Sequence, residues 1–468
     1  MPATTKFSQT VARSLENGLT GGSQSDGWGG SSALKTLGAN SALPYMDMDT
    51  SPEYSFKDDP SIINNAFSAA PRLVGKGLSK IMSFQDRYYG QNDMNYWMFG
   101  YEILPVQVVC FTSIEADPWV GDAPAVGDVY TDGVTSFTYL RTETTRDIDG
   151  EESSVFVFSN ATDGALPTEP TPPAYETLDG TTNPTYDFRW SFRCQADMFE
   201  HVYELDAQGR RFRDYLTAEQ ITGWSSGDKK NIMMTFGKKF DTYDQVIQNA
   251  TCKNWSYKIA AGDTAEIECG YIGYNQVRGD YSSADWTLQS GGALSANVPA
   301  AHETTFKLGT IFSGPTADMV NLSMKEITVA ADFPLDESQS LTSGVWLDVP
   351  ILNGKYGLTL TGIISRHLVT TYQDMMDDLT SACAQIKSSQ GWYMKEYLIK
   401  QATVTSAGPD NSPVIMENLN LGIEYNEAAN NPFALASYSH LEGFVEVQNS
   451  PILLRVRDYN SVNVMFAQ

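Results

Sequence analysis

VIQNATCKNWSYKIAAGDTAEIECGYIGYN occupies residues 246–275, and LIKQATVTSAGPDNSPVIMENLNLGIEYN occupies residues 398–426. Ile247, Ala250 and Thr251 fall opposite Ile399, Ala402 and Thr403, and Ile272, Tyr274 and Asn275 fall opposite Ile423, Tyr425 and Asn426. The offset is 402 − 250 = 152 at the start and 426 − 275 = 151 at the end, so one single-residue gap reconciles the two stretches. Each runs from an alternating apolar/polar strand into a turn rich in Gly, Asp, Pro or Asn, and then into a second alternating strand. That is a hairpin signature, stated twice.

A second pair of segments agrees. LVGKGLSKIMSF (73–84) is similar to LNGKYGLTLTGII (352–364). Gly75-Lys76 matches Gly354-Lys355, and Gly77-Leu78 matches Gly357-Leu358. A short strand closed by an X-Pro step precedes each, EYSFKDDP at 53–60 and ITVAADFP at 327–334. The Gly-Lys offset is 354 − 75 = 279, against about 151 for the hairpins, so about 128 residues are inserted inside the first copy. The expectation is an internal duplication. Gly75, Lys76, Gly77, Leu78, Gly354, Lys355, Gly357 and Leu358 mark its repeated strand, where glycine points to a bulge or a close backbone approach.

Composition sets the class. The chain has 468 residues, 41% hydrophobic and 12% aromatic, which suits globular domains rich in strands. The net charge of −26 argues against a surface that grips nucleic acid, because phosphate binding runs on Lys and Arg. It suits a protein that stands beside DNA without holding it, and it also serves solubility. Five scattered cysteines without C-x-x-C spacing read as buried thiols of a reducing compartment. Neither a secretory h-region nor an apolar run long enough to span a membrane is legible.

Along the chain, residues 1–45 are Gly/Ser-rich and read as an extended N-terminal arm. Residues 46–114 and 236–275 make the first unit, split by an insertion at 115–235 that reads as an outer β decoration. Its RRFRDYLTAEQITGW segment suggests a short helix. Residues 276–305 read as a linker, 306–430 as the second unit and 431–468 as C-terminal strands. The run 84–102, FQDRYYGQNDMNYWMFGYE, looks too polar for one helix. Met375, Leu379, Cys383 and Ile386 recur at helical spacing and predict a helix over 372–389.

Chemistry leaves few traces. His201, His302, His367 and His440 stand alone, and no carboxylate or cysteine cluster has ligand spacing, so no metal, cofactor or catalytic residue is assigned. Nucleophile-elbow, Walker A and dinucleotide fingerprints are missing. Asp58-Asp59 and Asp377-Asp378 read as solvated faces. The chain reads as a non-enzyme.

The Gly-strand elements with their closing hairpins resemble the tail tube proteins of long-tailed, non-contractile (siphovirus-like) phages and related viruses, over about half the chain. The resemblance implies a mainly β fold, two tandem β-sandwich or barrel tube-like domains, each with a flanking helix, plus the inserted β subdomain. It implies a structural virion protein, assembled in the host cytoplasm, whose stacked rings form a hollow tube for DNA passage. Its partners would be itself and other tail proteins such as the tape measure and terminator, with DNA passing unbound and no membrane involved. Two domains per chain suggest a homotrimeric, pseudo-hexameric ring in which the eight Gly-strand residues serve self-assembly. Another virion structural protein (capsid, decoration or adhesion) is the alternative, and a β-rich hydrolase the third reading.

Overall fold

A computed structural model describes residues 10–15, 37, 42–50, 53–57, 72–112, 119–120, 125–131, 136–146, 152–160, 176–180, 187–190, 194–205, 232–240, 243–273, 275–279, 286, 298–310, 320–336, 351–365, 381–409, 416–423 and 450–460. The protein is mainly β. The first strands are β1 (Thr10–Leu15), β2 (Ala42–Leu43), β3 (Tyr45–Met48), β4 (Glu53–Lys57), β5 (Arg72–Gly77) and β6 (Ser79–Gln85). Helix α1 (Asn92–Phe99) follows, then β7 (Gly100–Thr112), β8 (Trp119–Val120), β9 (Val129–Thr131), β10 (Ser136–Arg146) and β11 (Glu152–Asn160). Next come β12 (Glu176–Gly180), β13 (Asp187–Trp190), β14 (Cys194–Leu205), β15 (Met234–Lys239), β16 (Asp244–Ala260), β17 (Glu266–Ile272) and β18 (Asn275–Gly279). The later strands are β19 (Thr304–Thr310), β20 (Val320–Leu322), β21 (Met324–Asp332), β22 (Leu335–Asp336), β23 (Ile351–Leu352) and β24 (Gly357–Ser365). Last are β25 (Ser381–Gln390), β26 (Tyr393–Pro409), β27 (Met416–Ile423) and β28 (Ile452–Asp458).

Both hairpins form, as β16·β17 and β26·β27, and each is flanked by its Gly-strand, as β17·β6 and β27·β24. The pairing runs β15–β16–β17–β6–β3 in one place and β25–β26–β27–β24–β21 in the other. The irregularities coincide as well. Between β15 and β16 the register slips from Met234↔Ala250 to Phe236↔Ile247. Between β25 and β26 it slips from Ala382↔Ala402 to Ala384↔Ile399, at the same offset of 152 on the long strand. The bulge between Tyr45 and Asp47 recurs between Met324 and Glu326, an offset of 279. Phe56↔Leu73 and Lys57↔Arg72 recur at that offset as Leu335↔Leu352 and Asp336↔Ile351. Bulges interrupt the ladder and bend the strand at defined points, so their coincidence carries more information than shared strand order.

One detail of the sequence match is displaced. Cys269, Tyr271 and Gly273 face inward where Leu419, Leu421 and Ile423 do, an offset of 150 instead of 151. Ile272 therefore corresponds to Gly422, not to Ile423. Because side chains alternate faces with period 2, the one-residue difference decides which residue enters the core.

A closed seven-stranded barrel runs β25–β26–β28–β14–β7–β11–β10 and returns to β25. Closure rests on one parallel bridge, Arg146↔Gln390, with the Gly391 N–H donating to the Arg146 carbonyl at 3.0 Å. Three of the seven strands come from 115–235, the stretch expected as an outer insertion, and three from beyond residue 380. Leu140 is an extra residue in β10, between Tyr139↔Phe158 and Arg141↔Val157. Before it, Phe137 and Tyr139 join an outer apolar cluster with Phe111, Phe156 and Phe158. After it, the facing is reversed and Arg141 and Glu143 enter the barrel.

The helix predicted over 372–389 is corrected where that segment is described: Ser381–Ser389 belongs to β25. Ladders to β19 and β26 on either side hold Ala382, Ala384, Ile386 and Ser388 on one buried face. Helix propensity, high at Ala382 and Ala384, is a weak prior that the two flanking ladders override. Residues 372–380 lie outside the described residues, as does the short helix expected in 210–224. Conversely, α1 lies inside the run read as too polar for a helix. The amide at its start is spent internally: Gln91 accepts from the Arg87 N–H at 2.9 Å and donates to the Gln85 carbonyl at 3.0 Å. Trp97 Nε1 donates to the Ala250 carbonyl at 2.9 Å, and Gly100, at φ 97°, caps the helix end in the left-handed conformation. β1 lies within the segment expected as an arm, paired to β15 with Val11 in the core. β18, at the start of the expected linker, pairs with β16.

Candidate functional site

The eight residues singled out in the sequence fall into two unlike settings. Gly75, Lys76 and Gly77 lie in β5, where Ser55↔Gly75 gives way to Phe56↔Leu73 across a bulge. Gly354 and Lys355 lie exposed in the turn before β24, and Gly357 opens that strand. At Gly354, φ is 154° and a Cβ would come within 3.0 Å of Pro334, while the Asn353 N–H donates to the Pro334 carbonyl at 2.7 Å. The X-Pro step and the glycine thus meet, which accounts for the glycine by close approach. Leu78 and Leu358 are both buried at the start of their strands.

The densest chemistry is elsewhere, inside the barrel. Glu143 of β10 receives Arg141 Nε at 2.6 Å and Lys387, Arg455 and Arg457 each at 3.1 Å. Glu200 of β14 pairs with Arg141 and, at 3.4 Å, with Arg457. Glu396 of β26 pairs with Arg455 at 2.8 Å and with Gln385. Arg141, Lys387, Arg455 and Arg457 therefore face Glu143, Glu200 and Glu396, four cations against three carboxylates, all nearly or wholly buried. Burial alone would raise the Glu143 pKa, but Arg457, Lys387, Arg141 and Arg455 together hold it well below the carboxylate range. Burial lowers the pKa of Lys387, against the pull of Glu143 and Glu396. Cys110, on the same inner face, is pushed up to about 11, first by burial, so it is an inert thiol.

His201 forms a second buried cluster on the opposite face of β14. Nδ1 lies 2.8 Å from Glu102, Nε2 lies 2.7 Å from the Asn460 carbonyl and 3.4 Å from Asp458. Burial opposes charge on the ring, yet the hydrogen bonds to Asp458 and Glu102 outweigh it and lift the pKa to about 10. The imidazolium ties β14, β7 and β28 together, and Asn92 of α1 donates to Asp458 at 3.1 Å. A charged histidine with both N–H groups engaged and no solvent access is a clamp, not a proton shuttle.

An open surface hollow of about 430 Å3 is lined by Arg146, His302, Lys325, Thr304 and the 260–262 turn, without a converging carboxylate. Among the described residues no group of three or more His, Cys, Asp or Glu could hold a metal ion, and no helix is long and apolar enough to cross a membrane. Sequence reading passed over both buried clusters. RTETTR and RVRD alternate charge with Thr, Val or Leu, which is also the pattern of a solvated strand. No family model matches this chain, and no curated protein matches it.

Proposed function

We propose that this chain is a structural virion protein that assembles into the stacked rings of a hollow tail tube, with two tandem tube-like units per chain and three chains per ring. The observation that carries the reading is the repetition of five strands, bulge for bulge, between β15–β16–β17–β6–β3 and β25–β26–β27–β24–β21. Two like units in one chain supply two sixths of a ring, and a head-to-tail contact between such units closes by rotation. Buried polar groups serving only as clamps suit a scaffold. The net charge of −26 suits a conduit through which DNA slides without sticking.

Negative-stain electron microscopy of the purified protein tests this. Hollow rings or tubes with threefold symmetry are expected. Compact monomers at high concentration, or icosahedral shells, overturn the reading.

A further inference from the structure

The two copies of the Gly-Lys strand differ at a position with its own chemistry. Val74 stands before Gly75 in the first, and Asn353 before Gly354 in the second. The sequence has two Asn-Gly pairs, Asn17-Gly18 and Asn353-Gly354, and the second lies within the described residues. An asparagine ahead of a glycine is open to attack from its own backbone. The glycine nitrogen reaches the side-chain amide carbon without a Cβ in the way.

The fold presents this pair to water. Asn353, Gly354 and Lys355 are all exposed. They form the bow of the turn between β23, only two residues long, and β24. One end of the bow is tied by the Asn353 N–H, which donates to the Pro334 carbonyl at 2.7 Å. The other end is tied by Tyr356, whose ring meets the buried Phe333 ring edge-on, with centroids 4.8 Å apart. The reacting atoms are the Asn353 Cγ and the Gly354 nitrogen, and neither tie engages them. Exposed turn tips of this kind retain the local freedom that ring closure needs.

We infer that Asn353 is a modification site of the folded protein, closing spontaneously to a succinimide and reopening as aspartate or isoaspartate. The Gly354 nitrogen gives its proton to hydroxide or a buffer base and bonds to the Asn353 Cγ. The Cγ–Nδ2 bond breaks, and Nδ2 takes a proton from solvent and leaves as ammonia. Water then opens the ring. Attack at Cγ restores the main chain and leaves aspartate; attack at the Asn353 carbonyl carbon leaves isoaspartate, with the main chain running through Cγ. Either product adds a negative charge. Isoaspartate also lengthens the main chain by a carbon where Gly354 packs so closely that a Cβ would lie 3.0 Å from Pro334. The pairs Leu335↔Leu352 and Asp336↔Ile351 stand directly beside that contact. Val74 has no amide to lose, so the change falls on one copy of the repeated strand alone. This inference is independent of the tail-tube reading.

The test incubates the full-length protein at neutral pH and body temperature and maps its tryptic peptides by fragment mass. The peptide ending at Lys355 should show amide-to-acid exchange at Asn353 and accept methyl groups from an isoaspartyl O-methyltransferase. Asn321 and Asn418 are also exposed but precede leucine, which makes them internal controls. Asn353 is expected to convert more than about tenfold faster than either. The peptide carrying Asn17 is read separately. Conversion at Asn353 no faster than at the controls overturns the inference. So does conversion in urea without conversion in the native protein, because the fold would then shield the pair. Asn353→Gln, one methylene longer, should stay intact over the same period; an unchanged rate in that variant overturns the assignment.

Discussion

The two faces of β26 lie in different chemical worlds. Tyr397 and Ile399 point into the main apolar core, beside Trp255 and Tyr257, with the Tyr257 and Tyr397 rings 4.6 Å apart. Glu396, one residue away, points into the barrel and meets Arg455. One strand thus separates a core held by apolar burial and ring packing from an interior held by ion pairs. The apolar side tolerates loss in proportion to the atoms removed. The charged side tolerates loss badly, because each group removed leaves a partner stranded in low dielectric.

The harshest way to break the contrast is to insert one alanine between Thr142 and Glu143. Side chains alternate faces with period 2, so the insertion turns Glu143 out of the barrel and strands Arg141, Arg455 and Arg457 without it. Circular dichroism and melting should show no cooperative fold. Next, Arg457→Met should cost about 3–5 kcal/mol in urea unfolding, since Glu143 and Glu200 lose a buried partner. A loss below 1 kcal/mol would mean the interior is wet and the contrast wrongly drawn. On the apolar side, Ile399→Val should cost about 0.5–1.5 kcal/mol, by the size of the methylene removed.

Acid and base sharpen the same comparison. The His201 pKa is raised to about 10, above an unfolded value of about 6.5. Its contribution is therefore complete below about pH 6.5 and fades as pH climbs toward 10. Glu143, with a depressed pKa, contributes above its unfolded value of about 4.3 and loses that contribution as pH falls. Melting temperature should decline from pH 7 to 10, and His201→Gln should flatten that decline while lowering stability at pH 7. An unchanged slope in the variant would detach His201 from the effect. The smallest effect belongs to the surface: Ile81→Lys, at a side chain 56% exposed, should stay within about 0.5 kcal/mol.

How much of this was readable follows from the same division. Apolar alternation in VIQNAT and LIKQAT gave the hairpins, because one face of each strand is buried among like residues. The Gly-strands were legible for a related reason: Gly354 and Pro334 mark a backbone contact that few residues allow. The barrel was not legible. Arg141, Glu143, Arg455 and Arg457 sit at every second position, and sequence does not say whether the face they share meets water or one another. α1 was missed likewise, since the hydrogen bond that holds buried Asn92 comes from Asp458, far along the chain. The helical spacing of Leu379, Cys383 and Ile386 misled because a period near 3.6 and a period of 2 overlap over so few residues. The bulges shared by the two five-strand sets left no compositional mark.

The bridge between Arg146 and Gln390 closes the barrel across a sequence gap of 244 residues, with β28 still to come after it. On a ribosome, β7, β10, β11 and β14 emerge long before the strands that complete their circle. For most of the time needed to make the protein, Arg141, Glu143 and Glu200 have no ring around them and stay hydrated by bulk water. The final seam therefore acts as a checkpoint on synthesis: a chain truncated before β28 leaves the barrel open and its charges wet.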